Sequence, residues 1–174
     1  MIALVPVLQS IEKNLSRDLL SRAWAKMVAP DAPAVSGHCA VAAEALYHLL
    51  GGAQAGLMPC VCKYHWADDG TMVTGRGPNA KLDETHWWVR LPRNGVRGAG
   101  RVIDPTADQY SHPFPYDRGT GRHFMAPHGG PSKRASILIA RVRADLGDET
   151  LIMIRNAMVM AYKRSQMTYG FNAS

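Results

Sequence analysis

From Val7 to Met27, apolar residues recur at steps of three and four (Leu8, Ile11, Leu15, Leu19, Leu20, Trp24, Met27). That is the spacing of one buried stripe on an α-helix. The segment Ala29-Pro30-Asp31-Ala32-Pro33 ends it, because proline has no N–H to give and fixes its own φ. A second helix is expected from Ala40 to Leu50, a run of strong helix formers closed by Gly51-Gly52. The preceding Ser36-Gly37-His38-Cys39 places Cys39 in the first turn of that helix.

The pattern then changes period. Residues 57 to 65 read as a strand, and 66 to 83, rich in Asp, Gly, Asn and Thr, read as a surface loop. His86 to Leu91 and Arg101 to Pro105 read as two further strands. Asn94-Gly95 and several other glycines lie between them, so an antiparallel hairpin is the simplest connection. A long irregular stretch follows Thr106, punctuated by Pro113, Pro115, Gly119, Gly121, Pro127, Gly129, Gly130 and Pro131. Such a stretch is unusual in a compact domain unless it covers something, and it reads as an active-site flap. Two helices close the chain, about Ser132 to Asp145 and Glu149 to Arg164, started by Ser132 and Asp148. The order of helices, strands and helices predicts an α+β fold.

At 174 residues, with 47% hydrophobic and 20% charged side chains, the chain suffices for one domain with a proper core, and a second independent domain is not expected. The N-terminal apolar run lacks a basic leader, and no stretch approaches the roughly 18 apolar residues that span a bilayer. The expectation is a cytoplasmic protein with no membrane association. Three cysteines (Cys39, Cys60, Cys62) are an odd number and too few for a disulfide framework, in keeping with a reducing compartment.

The formal charge of +6 is unevenly distributed. Residues 1 to 117 hold 11 basic and 11 acidic side chains, and residues 118 to 174 hold nine and three. A basic region attracts nucleic acid or an acidic partner. Here, however, Lys133, Arg134, Arg141 and Arg143 fall at helical surface spacing, which reads as a solvated face.

The candidate chemistry centres on Cys39. A thiolate is the reactive form of cysteine, and its pKa falls at a helix N-terminus beside an imidazolium. His86 begins one strand of the expected hairpin and Asp104 ends the other, so the carboxylate is placed to hold the imidazole in one tautomer. Nucleophile, base and orienting group then follow in chain order. Each also has a plainer explanation: a small buried thiol, a strand-end histidine, and a turn residue before Pro105.

Three segments carry a resemblance: Gly37-His38-Cys39-Ala40-Val41-Ala42, Thr85-His86-Trp87-Trp88-Val89-Arg90-Leu91, and Val102-Ile103-Asp104-Pro105-Thr106-Ala107-Asp108-Gln109-Tyr110. Together they resemble the YunG-like proteins of bacteria and phages, which pair Gly-Gln-Cys-Ala-Val, His-Tyr-Trp and Val-Asp-Leu-Thr-x-x-Gln-Phe segments. The likeness covers roughly residues 30 to 111. It implies a small papain/transglutaminase-like domain over 1–174, with an N-terminal cysteine helix on an antiparallel sheet, its core at about 30–111 and additional helices at about 132–165. The resemblance implies a site and not a reaction; the residues themselves set the expected chemistry, a Cys39-His86-Asp104 triad that hydrolyses or transfers a peptide or isopeptide amide through a thioester, with no cofactor. Where the family has glutamine before the cysteine, this chain has His38, so its imidazole and the Cys39 backbone N–H are the expected oxyanion donors. Trp87 and Trp88 point to opposite faces of their strand, one toward the core and one toward the cleft, and Gln109 ties the strand to the long loop.

Other polar clusters carry less. Cys60-Val61-Cys62-Lys63-Tyr64-His65 lacks the two-to-four-residue spacer of zinc sites, so no metal is expected there. His112, His123 and His128, and likewise Tyr116, Asp117 and Arg118, read as loop residues, the last three within reach of a substrate cleft. A protein or peptide substrate is the expected partner. The alternative is a non-catalytic binding or regulatory protein of phage origin, gripping a protein or nucleic-acid partner with the same fold.

Overall fold

The computed structural model describes residues 4–79, 83–124 and 130–170. His128, Pro127 and Gly129 lie outside the described residues. In chain order the elements are α1 (Val5–Lys13), α2 (Arg22–Met27), α3 (Cys39–Leu49), β1 (Met58–Trp66), β2 (Met72–Thr74), β3 (Glu84–Arg90), β4 (Val102–Ile103), β5 (Thr120–Gly121), α4 (Lys133–Leu146) and α5 (Asp148–Gly170). The fold is α+β.

The expected N-terminal helix is two helices. Leu15, Leu19 and Leu20 keep the apolar spacing and are buried, but the backbone leaves the helix at Asn14 and is extended at Ser16 (φ −157°). Short polar side chains there bond locally instead of continuing the ladder. The Asn14 side chain donates to the Ser10 carbonyl at 2.8 Å, and Ser21 restarts the chain as the cap of α2, accepting from the Trp24 N–H at 3.2 Å.

The described strands form one antiparallel sheet in the order β2-β1-β3-β4, with β5 also on β1. β1 and β3 pair over their whole shared length, Cys60 opposite Trp88 and Cys62 opposite His86. Within the expected 66–83 loop, β2 instead forms a strand and pairs with β1 from Tyr64 to Trp66. The β3–β4 hairpin forms as expected, with Val89 opposite Ile103. Its connection turns at Asn94 (φ 53°) and Gly95 (φ 71°), the left-handed pair that an Asn-Gly turn requires.

Strand alternation gives the sheet two different faces. Val89 and Ile103 join α1, α3 and α4 in the main apolar core, where Val7, Ile11, Leu46 and Leu138 are fully buried. Cys60, Cys62, Tyr64 and Trp88 face the other way and are covered by Phe114, with Tyr110 and Tyr116 packed beside it. The long irregular segment therefore lies over the sheet as a strap, pinned at its far end by β5. Gly119 permits that close approach: a Cβ on it would lie 2.0 Å from the Trp88 ring.

The two closing helices start where capping chemistry places them. Ser132 Oγ accepts from the Ala135 N–H at 3.3 Å, and Asp148 puts a carboxylate in the first turn of α5. Glu44 of α3 reaches across to the same start, accepting from Ser132 N–H (2.8 Å) and Ser132 Oγ–H (2.6 Å). The basic side chains of α4 are largely committed inside the chain. Arg141 pairs with Asp18 at 2.7 Å, Arg143 with Asp148 at 2.7 Å, and Arg134 donates to the Leu19 carbonyl. Among the described residues no helix is long and apolar enough to cross a membrane.

Candidate active site

β4 accompanies β3 only at Val89 and Arg90, so among the described residues the outer edge of β3 from Glu84 to Trp88 has no strand partner on that side. The N-terminus of α3 fills part of this edge. Gly37 precedes it with φ +75°, a turn that sets His38 and Cys39 at the helix start. Cys39 Sγ donates toward the Thr85 carbonyl at 3.5 Å, and the Trp87 N–H points back at the sulfur. The nucleophile candidate thus sits against the backbone on both sides of His86.

His86 projects from the strap-side face of β3, the face that also carries Trp88, and is fully buried, with Tyr110 at 4.9 Å and Phe114 at 4.5 Å between ring centroids. Its Nε2–H donates to Asp104 Oδ2 at 2.6 Å, both side chains being almost wholly excluded from solvent. A carboxylate only accepts, so this bond fixes the proton on Nε2 and leaves the lone pair on Nδ1. Asp104 is itself held by three more donors: the Tyr116 hydroxyl to Oδ2 (2.7 Å), and the Thr106 N–H and hydroxyl to Oδ1 (2.9 Å each). Burial raises the Asp104 carboxyl, but the hydrogen bond from His86 and the electrostatic attraction of its N–H, together with Tyr116 and Thr106, outweigh it and hold the group below the usual carboxylate range.

Gln109 completes the ring of contacts. Its Nε2 donates to the Thr106 carbonyl (3.0 Å), Thr106 Oγ1 (3.1 Å) and His86 Nδ1 (3.3 Å). Three acceptors share two hydrogens, and the longest contact is the one to the imidazole. Gln109 therefore supports the tautomer that Asp104 selects.

A cleft of about 740 Å³ opens over this arrangement, lined among others by Trp24, Gly37, Cys39, Tyr64, Trp66, Glu84, Gln109 and Tyr110. Cys39 is a buried residue of its lining, and burial pushes its thiol up to about 12, the Trp87 N–H opposing and the Asp104 charge adding to the rise. The helix N-terminus does not win here: a sulfur shielded from water stays protonated.

Several expectations are corrected. His38 does not offer a donor from a neutral ring. Its Nε2–H donates to the Ser16 carbonyl at 2.9 Å, and Nδ1 then carries a lone pair, so of the two expected oxyanion donors only the Cys39 backbone N–H remains. Neither Trp87 nor Trp88 lines the cleft. Trp87 stacks on Phe124 at 5.3 Å against the helical core, and Trp88 is fully buried under Gly119 and Tyr116. The cleft's tryptophans are Trp24 and Trp66, the first a position of the apolar helical stripe and the second the start of the expected 66–83 loop. Thr106 and Tyr116 were missed as supports of Asp104. Asp104-Pro105-Thr106 is a local turn signal that points to Thr106, whereas Tyr116 reads only as a loop residue within reach of a cleft, with nothing to link it to Asp104. Cys60 and Cys62 are free thiols packed in the strap-side cluster, and among the described residues no group of three or more His, Cys, Asp or Glu is placed to hold a metal. His112 lines the cleft; Asp117 and Arg118 face one another on the surface.

No family model, no curated protein and no solved structure matches the chain.

Proposed function

We propose that this chain is a cysteine-dependent amide hydrolase or acyl transferase of the papain/transglutaminase type, related to the YunG-like proteins, with Cys39 as nucleophile, His86 as general base and Asp104 as orienting group. The observation that carries the reading is the pairing of a buried Asp104–His86 hydrogen bond with a cleft-lining thiol set against the backbone on both sides of that histidine. A protein or peptide is the proposed substrate, and the cytoplasm the proposed compartment.

In this mechanism the Cys39 thiol is protonated at rest. Binding of the substrate displaces the Gln109 amide from His86 Nδ1, and the thiol proton passes to that nitrogen as sulfur bonds to the substrate's carbonyl carbon. The Cys39 backbone N–H stabilises the oxyanion. The C–N bond then breaks, the proton on Nδ1 goes to the leaving amine, and a thioester remains. Water, deprotonated by His86, attacks the thioester and expels the Cys39 sulfur, which regains a proton. An amine in place of water gives transfer. Asp104 holds the imidazole and offsets its positive charge in the charged intermediate state.

The test is labelling of the intact protein with a set of peptidyl acyloxymethyl ketones, read by mass spectrometry at each cysteine. The expected result is modification at Cys39 that falls by about a hundredfold or more in His86→Ala. Labelling spread over Cys39, Cys60 and Cys62, or indifferent to His86, would sink the reading. The raised thiol and the amide resting on Nδ1 favour a second reading, a binding protein that retains the fold without turnover; it predicts that no electrophile selects Cys39.

A further inference from the structure

The chain as a whole is basic, with a formal charge of +6, yet the cleft is not. Among its described lining residues there is no lysine or arginine, and apart from the titratable His112 the formal charge is that of Glu84. Around it stand aromatic and thioether walls from Trp24, Trp66, Tyr110 and Met72.

Glu84 is positioned by the sheet. It lies opposite Tyr64 in the β1–β3 register, and the Tyr64 hydroxyl donates to Glu84 Oε2 at 2.6 Å. The Tyr110 hydroxyl in turn donates to Tyr64 at 3.2 Å. Two partly or wholly buried tyrosines thus set the carboxylate's direction, and among the described residues no cation forms an ion pair with it.

We propose that the cleft selects a substrate with a basic side chain, lysine or arginine, on the residue whose carbonyl is attacked, and that Glu84 is its counter-charge. The inference rests on the reading of Cys39 as nucleophile. Glu84 and His86 are two residues apart on one strand face, roughly 7 Å between Cα atoms, and the carbonyl that touches Cys39 Sγ belongs to the residue between them. A lysine side chain spans about 6 Å from Cα to its ammonium, which matches that separation. Aromatic faces beside the carboxylate suit a cation, since a ring's negative face and a fixed carboxylate both stabilise it once water is excluded. An acidic side chain in the same place meets like charge.

The test uses three acyloxymethyl ketone peptides identical except for lysine, norleucine or glutamate at the residue bearing the electrophilic carbonyl. Second-order rates of Cys39 labelling are compared in the intact wild type and in Glu84→Gln, which keeps an acceptor for the Tyr64 hydroxyl. The expected order in wild type is lysine, norleucine, glutamate, with a lysine-to-norleucine ratio of about ten that collapses toward one in Glu84→Gln. An equal ratio in the two proteins overturns the proposal. Should none of the peptides label Cys39, the nucleophile reading fails, and tryptophan fluorescence titration decides the cleft by itself. Nα-acetyl-lysine methylamide binding more tightly than its norleucine counterpart, with the difference lost in Glu84→Gln, supports the cation site; equal binding overturns it.

Discussion

The Tyr116 hydroxyl donates to Asp104 Oδ2, the same oxygen that receives the His86 Nε2–H, at 2.7 and 2.6 Å respectively. The strap therefore does more than cover the sheet. It contributes a donor to the carboxylate that orients the proposed base, so the placement of residues 110 to 118 and the state of the site are linked.

Tyr116→Phe deletes that donor and little else. The expected cost is about 1 kcal/mol in chemical denaturation, because the carboxylate keeps its bonds from His86 and Thr106. Electrophile labelling of Cys39 is expected to slow by about threefold to tenfold as Asp104 loses one of its restraints. No change in either measurement would mean that Tyr116 is only packing.

Asp104→Asn tests the tautomer. An amide in this place can present N–H toward His86 and drive the proton to Nδ1, which removes the lone pair needed to accept the thiol proton. Labelling of Cys39 should fall by about a hundredfold or more, with the fold retained.

The same variant tests a pH dependence whose sign follows from the depressed Asp104 carboxyl. A group held below its ordinary value stabilises the fold fully above that value, near pH 4, and the contribution is lost as pH falls through the lower folded value. Wild type should exceed Asp104→Asn in stability by about 1–3 kcal/mol at pH 7, and the gap should narrow steadily below pH 4. Urea titrations of both proteins from pH 7 to pH 2.5 read this out; a gap independent of pH would contradict an ionised Asp104.

Cys39 itself should respond to pH as a buried thiol. With its pKa pushed up to about 12, the iodoacetamide rate at this residue should climb about tenfold per pH unit through pH 9 without levelling. A plateau near neutral pH would reveal a preformed thiolate–imidazolium pair and reverse the order of events proposed above.

Gly119→Ala examines the strap directly. The new methyl would lie 2.0 Å from Trp88, a ring buried on every side, so either the ring or the segment must shift. A loss of about 2–3 kcal/mol is expected, with faster proteolytic cleavage between residues 110 and 121 than in wild type.

Local signals were enough for much of this molecule. The helix formers after Cys39, the Asn94-Gly95 turn, the Ser132 cap and the alternation along β1 and β3 each describe interactions within a few residues, and these elements stand where expected. The approach of His86 to Asp104 was also legible, because a hairpin brings the outer ends of its strands together, although Asp104 lies just past the last paired residue of β4 and reaches His86 diagonally.

What the tertiary structure decided is everything that depends on which distant surface covers which. Burial, not the helix N-terminus, sets the Cys39 thiol, since desolvation is a property of the packed environment and not of the flanking residues. His38 turns to Ser16 because the chain leaves the helix around residues 14 to 21, and the Ser16 carbonyl there accepts from His38 as well as from the Leu19 N–H. Trp24 and Trp66 form the cleft instead of Trp87 and Trp88, and Tyr116 reaches Asp104 from a segment whose prolines and glycines carry no periodicity to place it. Sequence patterning determined the elements and the hairpin pair; only the folded chain, by excluding water from some side chains and not others, determined which of them face the cleft.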